Sequence, residues 1–383
     1  MPSRPPPFPV TTAGPGPPRN SQPVEATPLL APVPPAPRRP KGSPTLERLT
    51  DLAAESTLAR KMAAGQFVVT MELVPPRTPE LAGLRTRIEK YFLGHCDALN
   101  ITDCASALLR MSSLGASLAC LEMGAEPVMQ ITCRDRNRIA IQSELITAYA
   151  FGVRNILCLT GDHVIFGDHP MAKPVFDLDS TNLIAMVSQM RSAAKFASGE
   201  EIKATPKSAP IALNWLIGGA ANPMGNDPRH LAMHMNKKMR AGADFLQTQP
   251  VYDLAGFDRW MKAMIDLGLH EKIKILPGVL PPKSAKGLGF MKDNVPGMRV
   301  PDELIRRLEG AQDPAEEGKK LTLEIIEALL NYPIAGLHVY PVYWEALMPE
   351  LGAAIRDLAA KAGRALPEPE TATPPEPAAL CPN

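Results

Sequence analysis

The stretch Asn155-Ile156-Leu157-Cys158-Leu159-Thr160-Gly161-Asp162-His163 reads as a short apolar strand that ends abruptly in a polar turn. Apolar runs bounded by turn residues suit buried parallel strands. A carboxylate directly beyond the carboxyl end of such a strand stands where α/β folds place their chemistry. The segment that follows, 164–180, exceeds an ordinary connection, and loops of that length are usually functional. The plainer role for Asp162 is to cap the next turn.

Working outward, strand-like and helix-like segments alternate. The strands read as Phe67–Glu72, Asp97–Thr102, Pro127–Thr132, Asn155–Thr160, Ile211–Ile217, Phe245–Gln249, Ile273–Val279 and Gly336–Tyr340. Between them lie amphipathic segments over Leu81–Leu93, Leu114–Glu122, Asn137–Phe151, Thr181–Phe196, Pro228–Ala241, Leu254–Leu267 and Ser284–Met291. Two helical periods fill Asp302–Tyr332, and a last one covers Ala354–Ala365. Asp227-Pro228 is a helix start signal, with Asp as N-cap and Pro at the first helical position. Eight strands, each followed by a helix, favour a (β/α)8 TIM barrel over an open doubly wound sheet. A dinucleotide-binding open sheet would also show a Gly-rich first turn, and G-x-G-x-x-G does not occur.

The 383 residues divide by composition. Residues 1–46 are dominated by Pro, Ala and Arg, and 366–383 repeat Pro-Glu and Pro-Pro. Neither end carries enough periodic apolar residues to offset ordering entropy, so both are expected to be disordered or polyproline-like. A Pro-rich arm can dock SH3-like grooves, although a neutral or solubilising tail is the simpler reading. The core, 47–365, is long enough for one large interior. Net charge is +1 with the signs interspersed, so no basic stripe points to nucleic acid. No run approaches about 18 apolar residues and no apolar leader core is present, which argues against a membrane span or secretory signal. Six cysteines at 96, 104, 120, 133, 158 and 381 lie without a Cys-x-x-Cys pair, as reduced thiols packed in a cytoplasmic protein would.

In a barrel, reactive side chains collect at the carboxyl ends of several strands. The first strand ends in Glu72, the second in Thr102-Asp103, the third in Gln130-Ile131-Thr132 and the fourth in Thr160-Gly161-Asp162. The fifth passes Asn214 toward Gly218-Gly219, the sixth ends in Gln247-Thr248-Gln249, and the eighth supplies His338 and Tyr340. A Glu ending an apolar strand is costly to bury without purpose. Held protonated, it serves as a general acid near neutral pH. The plain alternative is a salt bridge to Arg77. Arg134 and Arg136, in a charge run that opens a helix, are either a solvated face or an anion site. Lys237 and Lys238 stand in the same position with respect to a phosphate. His230 and His234 share a helical face but lack the Glu of H-E-x-x-H and a third ligand, so no metal is expected. Met233, Met235 and Met239 are most simply core fillers.

With these residues in view, the chain over about 65–360 resembles the methylenetetrahydrofolate reductase family. The likeness rests on Glu72-Leu73-Val74-Pro75-Pro76-Arg77, Thr132-Cys133-Arg134-Asp135-Arg136-Asn137-Arg138, Asn155 through Asp162, Gly167-Asp168-His169-Pro170, Ala221-Asn222-Pro223, Thr248-Gln249 and Leu276-Pro277-Gly278. Each is weak alone; their order and spacing together are specific. The Arg-Asp-Arg-Asn and Ala-Asn-Pro versions are most similar to the branch found in acetogens and in fusions with homocysteine methyltransferase. The resemblance implies a barrel holding FAD, whose hydride reduces 5,10-methylenetetrahydrofolate to 5-methyltetrahydrofolate in one-carbon metabolism and methionine biosynthesis. It implies Glu72 as general acid, Asp162 as the carboxylate serving flavin and folate, and Gln249 and Tyr340 as substrate contacts. Thr102, Gln130, Thr160, Gly161, Ser180, Ala221, Asn222 and Lys238 fall at cofactor positions.

The chain departs from the better-known branch by Ala285, by Pro250-Val251-Tyr252 and by Val342-Tyr343-Trp344, on the face that receives NAD(P)H and the folate tail. The electron donor is therefore either NAD(P)H or an electron-transfer protein, with a homo-oligomer or a redox complex as the assembly. The competing readings are a pterin-binding barrel methyltransferase without flavin and a non-catalytic subunit of a redox complex.

Overall fold

A computed structural model describes residues 44–364. Eight parallel strands close into a barrel in sequence order: β1 Val68–Leu73, β2 Ala98–Ile101, β3 Pro127–Thr132, β4 Asn155–Leu159, β5 Leu216–Ala221, β6 Phe245–Pro250, β7 Lys274–Val279 and β8 Gly336–Val339. The expected (β/α)8 architecture is what the chain forms. Outside the strands lie α3 Leu81–Tyr91, α4 Ser113–Glu122, α5 Arg138–Ala150, α6 Ser180–Ser192, α7 Pro228–Ala241, α8 Leu254–Asp266, α9 Ala285–Asn294, α10 Asp302–Glu309, α11 Pro314–Leu330 and α12 Met348–Lys361. Two further helices precede the barrel, α1 Pro44–Leu52 and α2 Thr57–Ala63.

Strand alternation sorts side chains into two cores, because successive residues face opposite sides. In β1, Val69, Met71 and Leu73 join the large core between strands and helices, whereas Val68 joins a separate cluster in the barrel lumen. That second cluster contains Ala98, Val128, Leu157, Leu216, Phe245 and Leu276, and it is completed by Leu49, Leu52, Leu58, Ala59 and Met62 of α1 and α2. The two helices plug the floor of the barrel. Ser56 caps α2 by accepting from the Ala59 N–H at 2.9 Å, and its hydroxyl donates to Asn155 Oδ1 at 2.6 Å. Half-buried Glu126 accepts from the Leu58 N–H (3.1 Å) and Asn155 Nδ2 (2.7 Å), fastening the plug to the β3 and β4 ends.

Above this floor the inward positions turn polar. Thr70 Oγ1 lies 2.9 Å from His338 Nδ1, Gln247 Nε2 donates to Thr70 Oγ1 at 3.2 Å, and Asn100 Nδ2 donates to Gln247 Oε1 at 2.6 Å. The lumen therefore passes from apolar floor to polar mouth along each strand.

Two features differ from the sequence reading. The fifth strand was expected at Ile211–Ile217 but begins at Leu216 and runs through Gly218-Gly219-Ala220-Ala221. Asn214 consequently lies before the strand, where its amide donates to Glu55 at 2.7 Å, and not at its catalytic end. The glycines are there for space: a Cβ on Gly218 would enter the ring of Phe245, its register partner in β6. Helix α1 also begins inside the span expected to be a Pro-rich arm; Thr45 is buried and donates to the Lys272 carbonyl. The rest of that arm and the expected tail lie outside the described residues.

Cys120, Cys133 and Cys158 are buried free thiols, and burial pushes Cys120 and Cys133 up to about 12. Among the described residues no helix is long and apolar enough to cross a membrane.

Candidate active site

A cavity of 390 Å3 opens at the carboxyl ends of the strands. Of the residues singled out from sequence, it gathers Glu72, Gln130, Thr160, Gly161, Asp162, Ser180, Lys238, Gln249 and Tyr340 on one lining. Thr102, Ala221 and Asn222 do not line it. Thr102 and Ala221 are buried behind the lining, and Asn222 Oδ1 accepts from the Met224 N–H at 2.9 Å within its own loop.

Glu72 sits at the end of β1, half-buried among protein atoms. Burial pushes its carboxyl up to about 7, opposed by a hydrogen bond from the Gln130 side chain. It is poised to exchange a proton near neutral pH. The salt bridge to Arg77 does not form. Arg77 pairs with Asp168 at 2.5 Å instead, in the long segment after β4.

Tyr340 stands next to Glu72, and its hydroxyl donates to the Thr248 carbonyl at 2.9 Å. Burial, then the charge of Glu72, raises its pKa. Its ring meets His338 edge-on, with centroids 4.4 Å apart. Burial drives His338 down to about 3, opposed by hydrogen bonding to Thr70, so this imidazole is neutral and structural. Asn100 was missed in the sequence reading. The signal was available, since it is a polar residue at an inward position of an otherwise apolar strand. Its Oδ1 and the Thr102 hydroxyl are buried polar atoms without hydrogen-bond partners among the described residues.

Gly161 explains how Asp162 reaches the lining. Its φ of +89° is costly for other residues, and a Cβ there would lie 3.0 Å from Thr132 Cβ. Asp162 does not cap the following turn; His163 Nδ1 accepts the Ile165 N–H there, at 3.3 Å. The Asp162 carboxylate instead accepts the Ser106 N–H at 3.0 Å, from the loop after β2. Asp168 adds a second strap by accepting the Leu109 N–H at 3.0 Å. The bridged loop is strained, with Cys104, Ser106 and Ala107 at φ of 47°, 56° and 57°.

Of the two arginines considered as anion ligands, Arg136 is committed to Asp103 and to Glu144. Arg134 pairs with Asp135 at 2.8 Å and lines the cavity. Thr160 accepts the Ser180 N–H at 3.0 Å, fixing the start of α6 against the end of β4. Lys238 reaches back from α7 to donate to the Ala220 carbonyl at 2.6 Å, and burial lowers its pKa. Lys237 on the same helix is exposed and outside the cavity. His230 and His234 face each other with Nε2 atoms 3.0 Å apart, and no group of three metal-ligating side chains occurs among the described residues.

A sequence profile of the methylenetetrahydrofolate reductase family matches residues 57–355, the whole barrel together with helix α2. The chain belongs to the methylenetetrahydrofolate reductase family. Similar proteins include a rice protein named probable methylenetetrahydrofolate reductase (NADH), 25% identical over 300 residues, covering 74% of this chain and 47% of the rice protein. The Salmonella typhimurium 5,10-methylenetetrahydrofolate reductase is 22% identical, covering 72% of this chain and 86% of its own length. The chain thus spans about half the length of the plant relatives and most of the bacterial one. Among solved structures, an uncharacterized Clostridium thermocellum protein described as binding two copies of 5-methyl-5,6,7,8-tetrahydrofolic acid superposes with a TM-score of 0.53. It is 15% identical, covering 80% of this chain and all of the other, a likeness of fold.

Proposed function

We propose that this barrel reduces 5,10-methylenetetrahydrofolate to 5-methyltetrahydrofolate, using FAD held at the carboxyl ends of its strands. The observation that carries the reading is the position of Glu72: a carboxyl with its pKa near 7 on the cavity lining, together with Asp162 and Gln249. The family supports the substrate, and the plant relatives are named for NADH as donor.

The lining suits FAD. Lys238 has a single backbone partner and shares the cavity lining with Ser180, the first residue of α6, which favours an anion such as a diphosphate. The unpartnered Asn100 Oδ1, with the Gln130 amide, offers the acceptor and donor that a heteroaromatic edge requires. When bound, FAD would supply the hydride that completes the methyl group.

The remaining chemistry belongs to the chain. Protonated Glu72 delivers its proton to the folate N10 as the bond between N10 and the bridging methylene breaks, leaving an iminium cation at N5. The Asp162 carboxylate, held by Ser106 and Gly161, stabilises that cation. Gln249 orients the substrate. Buried His338 and half-buried Tyr340 keep the polar layer beneath the site rigid, with the imidazole and the phenol hydroxyl already engaged.

The test is direct. The purified chain should carry the visible absorbance of a flavin and, once reduced, should convert methylenetetrahydrofolate to 5-methyltetrahydrofolate. A colourless chain that moved the methyl group of 5-methyltetrahydrofolate to an acceptor would show a methyltransferase instead.

A further inference from the structure

A barrel helix normally turns charged and polar side chains outward. Helix α10 does so, with Asp302, Glu303, Arg306, Arg307 and Glu309 among its eight residues. Helices α4 and α5 break the pattern. The 10 residues of α4 and the 13 of α5 hold three charged side chains, Glu122, Arg138 and Glu144. Each is already in an ion pair, with Arg85, Asp177 and Arg136 in turn.

What α5 turns outward is Ile139, Ser143, Ile146, Thr147 and Ala150, followed by Phe151 at its C-cap. Spacings of three and four residues put the helical five on one stripe. Ile139 is 74% exposed, Phe151 62% and Ile146 40%. On α4 the same spacing falls on half-buried Leu114, Leu118 and Leu121. Helix α4 precedes β3 and α5 follows it, so the two stripes flank one strand. They meet at their carboxyl ends, where a Cβ on Gly152, directly after Phe151, would lie 3.7 Å from Leu121 Cδ1. Charges reappear only at the borders. The Arg85–Glu122 pair bounds α4, and beyond α5 runs the segment that carries the Lys203–Glu201 pair and donates its Ala197 N–H to Gln142 Oε1 at 2.7 Å. Single exposed apolar residues are ordinary on a protein surface, whereas a contiguous patch with a polar rim marks an interface.

We infer that this face joins two copies of the chain across a two-fold axis that passes near the midpoint of α5. A two-fold contact requires a surface that tolerates itself. An uncharged stripe meets its own copy without like-charge repulsion, and antiparallel α5 helices set opposite dipole ends side by side. Ile139 of one copy then packs against Phe151 of the other and Ser143 against Thr147, with Ile146 beside the axis. Together α4 and α5 present a face about 20 Å on each side. A face of that size supplies the roughly 600–1,000 Å² that each partner buries in a specific complex. Pairing here leaves the cavity at the strand ends open, whatever ligand it takes.

Sedimentation equilibrium of the full chain tests the pairing. At micromolar concentration the wild type should show twice the chain mass of 41.3 kDa. Ile146→Lys and Ile146→Glu each set like charges across the axis, and each should weaken dimerisation at least about a hundredfold. An equimolar mixture of the two should recover the dimer, because opposite charges then face each other. Phe290→Lys, on α9 and as exposed as Phe151, should leave the mass unchanged. Circular dichroism checks that the variants keep the fold, and Thr147→Lys, at an exposed polar position of the same stripe, is a second probe. A wild-type chain that stays monomeric at tenths of a millimolar would overturn the assignment. So would a dimer that the Ile146 and Thr147 variants leave intact, or a Lys–Glu mixture that stays monomeric. A monomer that binds neutral phosphatidylcholine vesicles, and loses them in Ile146→Lys, would give the face to a lipid surface and equally overturn it.

Discussion

Glu72 ends a strand whose other inward residues, Val68 and Thr70, are apolar or engaged, so its carboxyl is the only ionisable group that β1 turns inward. That a Glu in this position would be costly to bury, and therefore useful, was legible from sequence. Its true neighbours were not, because Arg77 and Asp168 lie 91 positions apart and meet only through the strap over the β2 loop. Asp162 illustrates the same limit: the Thr-Gly-Asp turn was readable, while its partner Ser106 was not. Asp162→Asn keeps an oxygen to accept the Ser106 N–H but removes the charge that the proposed function assigns to the pterin. It should therefore weaken folate binding by about 1.5–3 kcal/mol with the loop intact. Calorimetry with 5-methyltetrahydrofolate measures this, and an unchanged affinity would place Asp162 outside the folate site.

At the scale of elements, helix α7 was read to the residue because Asp227-Pro228 opens it and Gly242, at φ +119°, closes it. Strand β5 was misplaced because its small residues carry no hydrophobic signal. Gly218 earns its position only against Phe245, which begins β6. Helices α1 and α2 escaped notice for a related reason: their apolar faces complement a barrel floor that no local pattern announces. They bury Leu49, Leu52, Leu58 and Met62, and full burial of such a side chain contributes about 1.5–3 kcal/mol. A chain beginning at Gln66 should therefore melt well below one beginning at Pro44, by thermal unfolding followed in circular dichroism. Equal melting temperatures would show that the plug is dispensable.

For the whole molecule, the inward layers set up opposing proton linkages. His338, neutral down to about pH 3 in the fold, binds its proton more readily when unfolded, so it costs stability as pH falls below 6.5. Glu72, held near 7, binds its proton more readily when folded, so it costs stability as pH rises from 4.5 toward 7. Replacing Glu72 by Gln removes the second linkage. Between pH 4.5 and 7 the variant should gain stability relative to wild type as pH rises, by up to about 1.4 kcal/mol per pH unit. Denaturant unfolding across that window measures the slope, and parallel curves would contradict the raised pKa.

The most direct measurement is a single-turnover experiment. The full chain, saturated with FAD and reduced chemically without oxygen, is mixed with 5,10-methylenetetrahydrofolate near pH 6, where Glu72 is protonated. Return of the oxidised flavin absorbance is then followed alongside formation of 5-methyltetrahydrofolate. In the wild-type chain the two should rise together. In Glu72→Gln, which keeps the shape and hydrogen-bonding capacity of the side chain without its exchangeable proton, both should slow by about 10²–10⁴-fold, the effect of losing one general acid. Equal rates in the two proteins would contradict the account.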